Sequence, residues 1–411
     1  MRVALVSFSG CANAGELGHS DEHVSALATA LAEQGDDVVV YVRRQTERAD
    51  ATTDRPRREA NYETVQLPAG PPTALTEARA MTHLGEYIDG LDSQLCRHRP
   101  DVVHSHTWLA GLAAGLATRP DRVPLAHTFH QLGLNNPRSP APRSPDSRTR
   151  TEQTVAQHAN RVIALSHTER DLLVDAGLPR DRVSVVPTGV DTERLSPDGP
   201  HPGSRFAHRL VVFGPPHQTT LILRAVTALP DTEVVLAVAD PPGRTRLASF
   251  LADLGIANRV RVEPASDAEQ RAALLRSADT VVSCATPGQC EVGHLEAMAC
   301  GVPVVATSPD AAEAVVHGIT GLHLIGAGPR QLARSLRELL DKPVLRQSMG
   351  TAGRDRATAR YAWPRIAAET ARIYQELAEH TTDDAPTADP QAADPAPGVV
   401  LAPQRFHAST A

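Results

Sequence analysis

Lysine is almost missing from this chain. Of 41 basic residues the single lysine is Lys342, so arginine supplies nearly all positive charge. Such an arginine-, alanine- and proline-rich composition goes with GC-rich bacterial genomes. Aromatic residues make up only 3%, too few for the stacking platforms that bind single-stranded nucleic acid. A net charge of −7 likewise argues against a nucleic-acid or anionic-membrane partner. No apolar run approaches the roughly 18 residues of a membrane span. The N-terminus, Met1-Arg2-Val3-Ala4-Leu5-Val6, enters a strand directly, without the apolar core and cleavage site of a signal peptide. The five cysteines, Cys11, Cys96, Cys284, Cys290 and Cys300, are scattered and lack CxxC spacing, as expected of reduced thiols in a cytoplasmic protein. Cys284 and Cys290 flank a candidate site, but small cysteines of this kind more often pack than react.

What is present is a steady alternation of strand and helix. With 411 residues and 41% hydrophobic content, the chain is long enough for two domains with full cores. Residues 2–8 read as a buried strand. A loop with Gly10, Gly15 and Gly18 follows, then a helix over 21–34 marked by Val24, Leu27 and Leu31. A strand at 38–42 completes a βαβ unit, with a loop poised for a ligand at the end of its first strand. Further strands are expected at 101–104, 123–129, 161–165 and 183–186. Helices are expected at 108–117, 150–159 and 167–176, the last capped by Ser166 with Glu169 reaching back. The proline-rich residues 136–148 predict a surface loop, and the polar residues 192–208 suit an interdomain linker. A second series has strands at 210–213, 233–238, 259–263, 279–283 and 302–306, and ends in helices at 329–340 and 343–353. The tail at 381–411 carries repeated Pro, Ala, Thr and Asp and predicts disorder. Two such series imply two doubly wound domains with a site in the cleft between their strand ends.

Residues 294–306 say most about that site. They read as a short helix, a stop at Gly301 and Pro303, and a strand begun by Val304 and Val305. Glu296 falls on the first turn of the helix, where a carboxylate beside the helix N-terminus can hold a sugar hydroxyl and a phosphate together. The same pattern also fits any helix-to-strand unit of an α/β protein. Histidines suggest a second chemistry. His104 and His106 share one face of a strand end, and His127 and His130 lie close together on another, a grouping that could bind zinc. Neither a carboxylate nor a cysteine is spaced with them, and strand-end histidines often satisfy loop carbonyls. The reading therefore assigns no metal and no cofactor.

The motifs together resemble the family 4 retaining glycosyltransferases. The carrying segments are Asp101-Val102-Val103-His104-Ser105-His106-Thr107-Trp108, Thr128-Phe129-His130-Gln131-Leu132-Gly133, Arg161-Val162-Ile163-Ala164-Leu165-Ser166 and Val186-Pro187-Thr188-Gly189-Val190-Asp191. Arg276-Ser277-Ala278-Asp279 and the 294–306 stretch complete them. The subgroup most similar is that of the actinobacterial D-inositol-3-phosphate glycosyltransferases and sucrose-phosphate synthases. The resemblance implies an α/β GT-B fold of two facing Rossmann-like domains, residues 1–197 and 198–360, with a return helix at about 361–379. It implies transfer of a sugar from a nucleotide-sugar donor to a small-molecule acceptor hydroxyl with retention. By resemblance, His130 sits against the transferred sugar and is the catalytic candidate. Gly18, His19, Gly214, His217, Val262, Glu291 and Glu296 form the donor side, with Glu296 on the ribose and backbone near Val262 on the base. His106, Thr107 and Arg150 form the acceptor side. A homodimer or protein partner stays open.

The chain departs from the family at the donor site. Gly18-His19 stands where a Gly-Gly pair is usual. After the strand at 210–213 the family carries an arginine and then a lysine for the diphosphate, whereas this chain runs Gly214-Pro215-Pro216-His217-Gln218. The first of two family glutamates falls on Gly288, with Glu291 nearby. Removing one preorganised charge-stabilising contact costs about 3–4 kcal/mol in such chemistry, so a substitute is expected among His19, His217, Arg224 and the helix beginning near Asp21. An acceptor-phosphate lysine expected near residues 68–71 is also missing. Three readings follow: an active glycosyltransferase with an altered donor site, a non-catalytic relative acting as a binding or partner subunit, and a nucleotide-sugar epimerase of the same fold.

Overall fold

The computed structural model describes residues 1–8, 18–45, 57–58, 61–118, 123–133, 147–214, 216–237, 244–263, 268–284 and 292–383. The first series runs β1 (Arg2–Ser7), α1 (Gly18–Glu33), β2 (Asp37–Arg43), β3 (Arg57–Arg58), β4 (Glu63–Leu67), α2 (Glu77–Thr82), α3 (Leu84–His98), β5 (Val102–His106), α4 (Trp108–Ala117), β6 (Leu125–Thr128), α5 (Ser147–His158), β7 (Arg161–Ala164), α6 (His167–Asp175) and β8 (Val183–Val185). These strands form an eight-stranded sheet ordered β3-β4-β2-β1-β5-β6-β7-β8, parallel throughout except for the β3–β4 pair.

The second series runs β9 (His208–Phe213), α7 (Pro216–Val226), β10 (Thr232–Ala237), α8 (Arg244–Asp253), β11 (Val260–Glu263), α9 (Ala268–Arg276), β12 (Thr280–Ser283), α10 (Gly293–Ala299), β13 (Val304–Ala306), α11 (Pro309–Ala314), β14 (Gly321–His323), α12 (Pro329–Leu340) and α13 (Pro343–Arg360), before the long α14 (Trp363–Asp383). Its six-stranded sheet, ordered β11-β10-β9-β12-β13-β14, is wholly parallel. The strand order reverses direction beside β1 and beside β9, which places a switch-point crevice at the carboxyl end of each.

Alternation along the central strands gives each sheet two cores. Ala4 and Val6 of β1 face one cluster and Val3 and Leu5 the other, so helices cover both faces, as parallel sheets require. In β9, Val211 and Phe213 are divided from Leu210 and Val212 in the same way. The last helix returns to the first sheet: Ile366, Ile373, Tyr374 and Leu377 of α14 pack with Val3, Leu5, Val24 and Leu27. Gly189 marks the crossing point, because a β-carbon there would collide with the Trp363 ring.

Several elements differ from the sequence expectation. β4, α2, α3 and β14 were not foreseen, although Leu84, Tyr87, Leu91 and Leu95 of α3 are buried at helical spacing. The helix expected at 343–353 continues to Arg360. Its Arg354 donates to the carbonyls of Thr192, Leu195 and Ala299, which clamps the linker to the second core. Residues 136–146 of the expected surface loop and 384–411 of the expected tail lie outside the described residues, and Ser147 and Arg148 of that loop already belong to α5. Among the described residues no helix is long and apolar enough to cross a membrane.

Candidate active site

The first half of the cleft is built where β5 and β6 end. Thr107 and His130, just past those strands, both take positive φ, 74° and 60°. Such backbone costs energy in residues other than glycine and concentrates at functional sites. The two turns are tied together: Thr107 N donates to Thr128 O at 2.9 Å, and His106 Nδ1 lies 3.0 Å from His130 Nε2. His104, one pleat earlier, is anchored by Tyr374 OH at 2.7 Å and Thr128 Oγ1 at 2.9 Å.

The expected grouping of four strand-end histidines does not form. His127 points to the opposite face, with Nδ1 2.8 Å from Ser105 Oγ and its ring against Phe129. A residue the sequence reading missed takes its place. His23 of α1 is buried, with Nδ1 3.0 Å from Thr188 Oγ1. Its ring centroid is 4.7 Å from that of His130, 5.7 Å from His106 and 5.2 Å from Trp363. Its one sequence signal is position: His23, Leu27 and Leu31 share a helical stripe. Burial lowers the pKa of His23 to about 4 and that of His127 to about 3. Burial also pulls His104 and His106 well below the ordinary histidine value, helped by their neighbours. These imidazoles are neutral near pH 7, suited to hydrogen bonding or ligation rather than to carrying charge. Of the other expected acceptor-side residues, Thr107 adjoins this cluster and Arg150 lies exposed on α5. The arginine of α5 that turns inward is Arg148, which meets Glu152, Glu77 and the Trp108 ring.

The second half lies at the ends of β9 and β12 and the start of α10. Gly214 has φ 136°, and a β-carbon there would strike Cys284. Only glycine lets the chain turn so close to β12. Val262 is half-buried on β11, packed at the edge of the second core. Glu296 is 5% exposed, but its environment differs from the expectation of an open hydroxyl acceptor. Oε1 accepts from Arg271 Nε at 2.9 Å, while Oε2 has no hydrogen-bond partner among the described residues. Arg271 NH2 in turn reaches Glu22 Oε2 at 3.4 Å. Burial raises the Glu296 pKa to about 7; Arg271 offsets part of the rise and Glu22 adds to it. Arg224, an expected substitute cation, lies elsewhere, at the far end of α7 over the Phe250 ring. The backbone of Gly18 and His19 opens α1 and that of His217 opens α7. The side chains of His19 and His217, together with Gly288 and Glu291, lie outside the described residues.

The two halves meet across a cavity of about 500 Å³ bordered by Ser166, Glu169, Thr188, His294, Asp310 and Glu313. Carboxylates of α11 cap α6 from the other sheet. Glu313 accepts from His167 N and Thr168 N, each at 2.8 Å, and Asp310 Oδ1 from Ser166 Oγ at 3.0 Å. The local cap also forms, with Ser166 Oγ accepting from Glu169 N at 2.9 Å. Glu169 itself reaches back one residue further than a standard capping box, to Leu165 N at 2.7 Å.

Residues 21–194 match the Glycosyltransferase Family 4 domain and residues 213–356 the Glycosyl transferases group 1 domain. The D-inositol 3-phosphate glycosyltransferase of Thermobispora bispora is 32% identical over 398 residues, covering 89% of this chain and 91% of that protein. The enzyme of the same name from Paenarthrobacter aurescens is 31% identical, covering 88% and 94%. Among solved structures, sucrose-phosphate synthase from Thermosynechococcus elongatus superposes with a TM-score of 0.77 at 21% identity, over 92% of this chain and all (100%) of that one. Anabaena HepE in complex with UDP-glucose gives 0.70 at 18% identity, over 92% and 100%. The chain belongs to the family 4 glycosyltransferases, enzymes that move a sugar from a nucleotide-sugar donor, and it has the GT-B fold of two facing Rossmann-like domains.

Proposed function

We propose that this chain is a working transferase that passes a hexosyl group, with retention, to the hydroxyl of a small acceptor, and that Arg271 replaces the missing donor-site cations. One observation carries the reading. Consecutive residues of α1 reach both halves of the cleft: His23 lies edge-on to His130, and Glu22 meets the Arg271 that holds Glu296. The sugar-side and nucleotide-side candidates therefore share one wall. We place the domain division between residues 197 and 198, in the stretch between β8 and β9.

In the proposed reaction the acceptor oxygen bonds to the anomeric carbon on the face the diphosphate leaves. The carbon–oxygen bond to the diphosphate breaks, its electron pair stays on the phosphate oxygen, and the acceptor proton passes to that oxygen. Neutral His106 fits this scheme, since no fixed base is required and an uncharged imidazole can still orient sugar hydroxyls. Before the donor arrives Oε1 of Glu296 holds Arg271, and Oε2 keeps an acceptor for a ribose hydroxyl. Developing charge on the diphosphate then falls near a buried guanidinium, which is always charged and well shaped for phosphate. Backbone of Gly18 and Gly214, with His19, His217, Val262 and Glu291, completes the proposed donor side; His106, Thr107 and Arg150 face the acceptor.

The acceptor we infer is not an inositol phosphate, although relatives carry that name. In the loop at 68–71, where a phosphate-binding lysine is expected, Gly70 N instead donates to Glu86 Oε2 at 2.8 Å and His83 closes on the same carboxylate. A carboxylate there repels a phosphate monoester. Cys96, Cys284 and Cys300, none of which forms a disulfide among the described residues, support a cytoplasmic enzyme. The transferase names of the relatives set the epimerase alternative aside. The Arg271–Glu296 pair also fits a second reading, a non-catalytic shell whose ribose site is filled by its own arginine. Calorimetric titration with UDP, GDP and UDP-sugars, with Glu296→Ala alongside, separates the two. Micromolar nucleotide binding that the variant loses is the outcome expected of the transferase. Heat-silent titrations with every nucleotide would leave the shell.

A further inference from the structure

We propose that His23, His106 and His130 form a binding site for one divalent transition-metal ion of the zinc class. The three side chains come from separate elements, α1, β5 and the turn after β6, and all are buried. Each offers one ring nitrogen to a group lying within 4.8 Å of one another. Tetrahedral zinc with bonds of about 2.0–2.1 Å needs ligand nitrogens roughly 3.4 Å apart, so side-chain adjustment alone can close the site.

Three features point to a metal rather than to an idle cluster. His106 Nε2 is wholly buried and has no hydrogen-bond partner among the described residues; buried polar atoms ordinarily have one, and an ion is among the standard explanations when they do not. His23 is already oriented as a metal-bound imidazole is. The Thr188 hydroxyl, itself buried, holds Nδ1 at 3.0 Å, so with the hydrogen on that nitrogen Nε2 carries the lone pair. His130 is aimed inward by a backbone turn in the left-handed region, φ 60°. Burial keeps His23 and His106 in the neutral form that ligates. Three imidazoles without a carboxylate favour zinc, copper or nickel over magnesium or calcium. The remaining position on a tetrahedral ion would be left to water or substrate. On the reading that His130 meets the transferred sugar, a bound ion takes that side chain out of use and inhibits transfer. Retention of the ion does not depend on that reading.

The test titrates ZnCl2 into full-length, chelator-stripped protein carrying His317→Ala, which breaks up the separate His317–His323 pair. Metal content is measured by elemental analysis, and Co2+ is used as a spectroscopic probe of tetrahedral nitrogen ligation. One equivalent is expected, with visible Co2+ bands. Adding His23→Ala should weaken zinc at least hundredfold, and Thr188→Val, which keeps every ligand, about tenfold. Less than half an equivalent bound, or full affinity in His23→Ala, overturns the proposal. Should His23→Ala fail to fold by circular dichroism, unchanged affinity in Thr188→Val overturns it instead. Nucleotide titration of the same preparation is scored separately, so the metal site and the transferase reading can fail independently.

Discussion

Glu169 is the side chain whose ionisation the contact between the two sheets should tolerate least. It is 3% exposed; Oε2 accepts from Leu165 N, and Oε1 has no hydrogen-bond partner among the described residues. Burial pushes its pKa up to about 8; the Leu165 N–H offsets part of the rise, and Asp310 and Glu313 on α11 add to it. Around that carboxyl, His167 is engaged with Glu313, and Arg356 donates to the carbonyls of Ala314 and Glu313. In the unfolded chain the group titrates near 4.5, so the folded state binds its proton more tightly. That stabilisation is complete below the unfolded pKa and is lost as pH rises through the folded one. At about 1.4 kcal/mol per pKa unit, the shift is worth roughly 3–5 kcal/mol. Glu169→Gln keeps an acceptor for Leu165 N and cannot ionise. The variant should match the wild type within about 1 kcal/mol at pH 5 and exceed it by about 3–5 kcal/mol at pH 9. For a cooperative unit of 150–250 residues that corresponds to on the order of 10 °C in Tm. Urea and thermal unfolding at pH 5, 7 and 9 and constant ionic strength would read it, since other titrations cancel in the difference. A difference that stays flat across that range would refute the assignment of a buried, protonated Glu169.

Arg271→Met leaves Glu296 buried beside Glu22 without its cation and should cost about 3–5 kcal/mol in urea unfolding. The same change in a Glu296→Gln background should cost much less, and additive losses in that double-mutant cycle would show the pair to be uncoupled. Glu313→Ala strips an acceptor from two backbone N–H groups and the Thr168 hydroxyl at the start of α6. It should lower stability by about 1–2 kcal/mol and speed proteolysis within residues 192–208; an unchanged cleavage rate would count against the cap as a tie between sheets. Gly214→Ala combines a φ of 136° with a contact on Cys284, and the strain of about 1–3 kcal/mol should weaken nucleotide binding by up to about a hundredfold while far-ultraviolet circular dichroism stays unchanged. Retained nucleotide affinity would remove that turn from the donor site.

Where local chemistry fixes an element, the sequence was legible. α12 starts with Pro329 at its first turn and carries a sharp apolar stripe, and its observed limits, Pro329–Leu340, match those expected. The same holds for α4, Trp108–Ala117. Glu296 and His130 were singled out because motifs carry them, and the cleft follows from strand order. The missed residues depend on contacts that no local pattern names. His23 meets Thr188 across 165 positions and Arg271 meets Glu22 across 249. Each reads locally as a polar residue on a helix. The histidine grouping failed for a simpler reason. Strand side chains alternate faces, and the register sets His127 beside Ser105 and Thr128 beside His106, so His127 falls on the face opposite His104 and His106; parity puts Thr128 with His104, and their side chains do meet at 2.9 Å.

The shortage of lysine bears directly on the donor site. Arginine's fork suits it to gather several carbonyls at once, and much of this chain's arginine is used that way. Buried Arg43 donates to Ala69, Pro71 and Thr73. Arg209 holds Pro202 and Gly203 as well as Glu233, and Arg276 holds Ser196 and Arg194 in the linker. Counting arginines therefore overstates the charge on offer to a substrate, since those engaged in clamps are tied to turns they stabilise. Arg271 differs in kind: its described partners are carboxylates, Glu296 and Glu22, one on each side of the cleft. A diphosphate arriving there would compete with those carboxylates for the guanidinium. Glu296, with its pKa raised to about 7, is the partner more easily released, because it can accept a proton as the phosphate takes the arginine. If Arg271 serves the donor in this way, UDP binding should be accompanied by proton uptake near pH 7, measurable as a buffer-dependent binding enthalpy, and Glu296→Gln should abolish the uptake. Enthalpies identical in phosphate and Tris buffers would mean that the arginine never leaves its carboxylates.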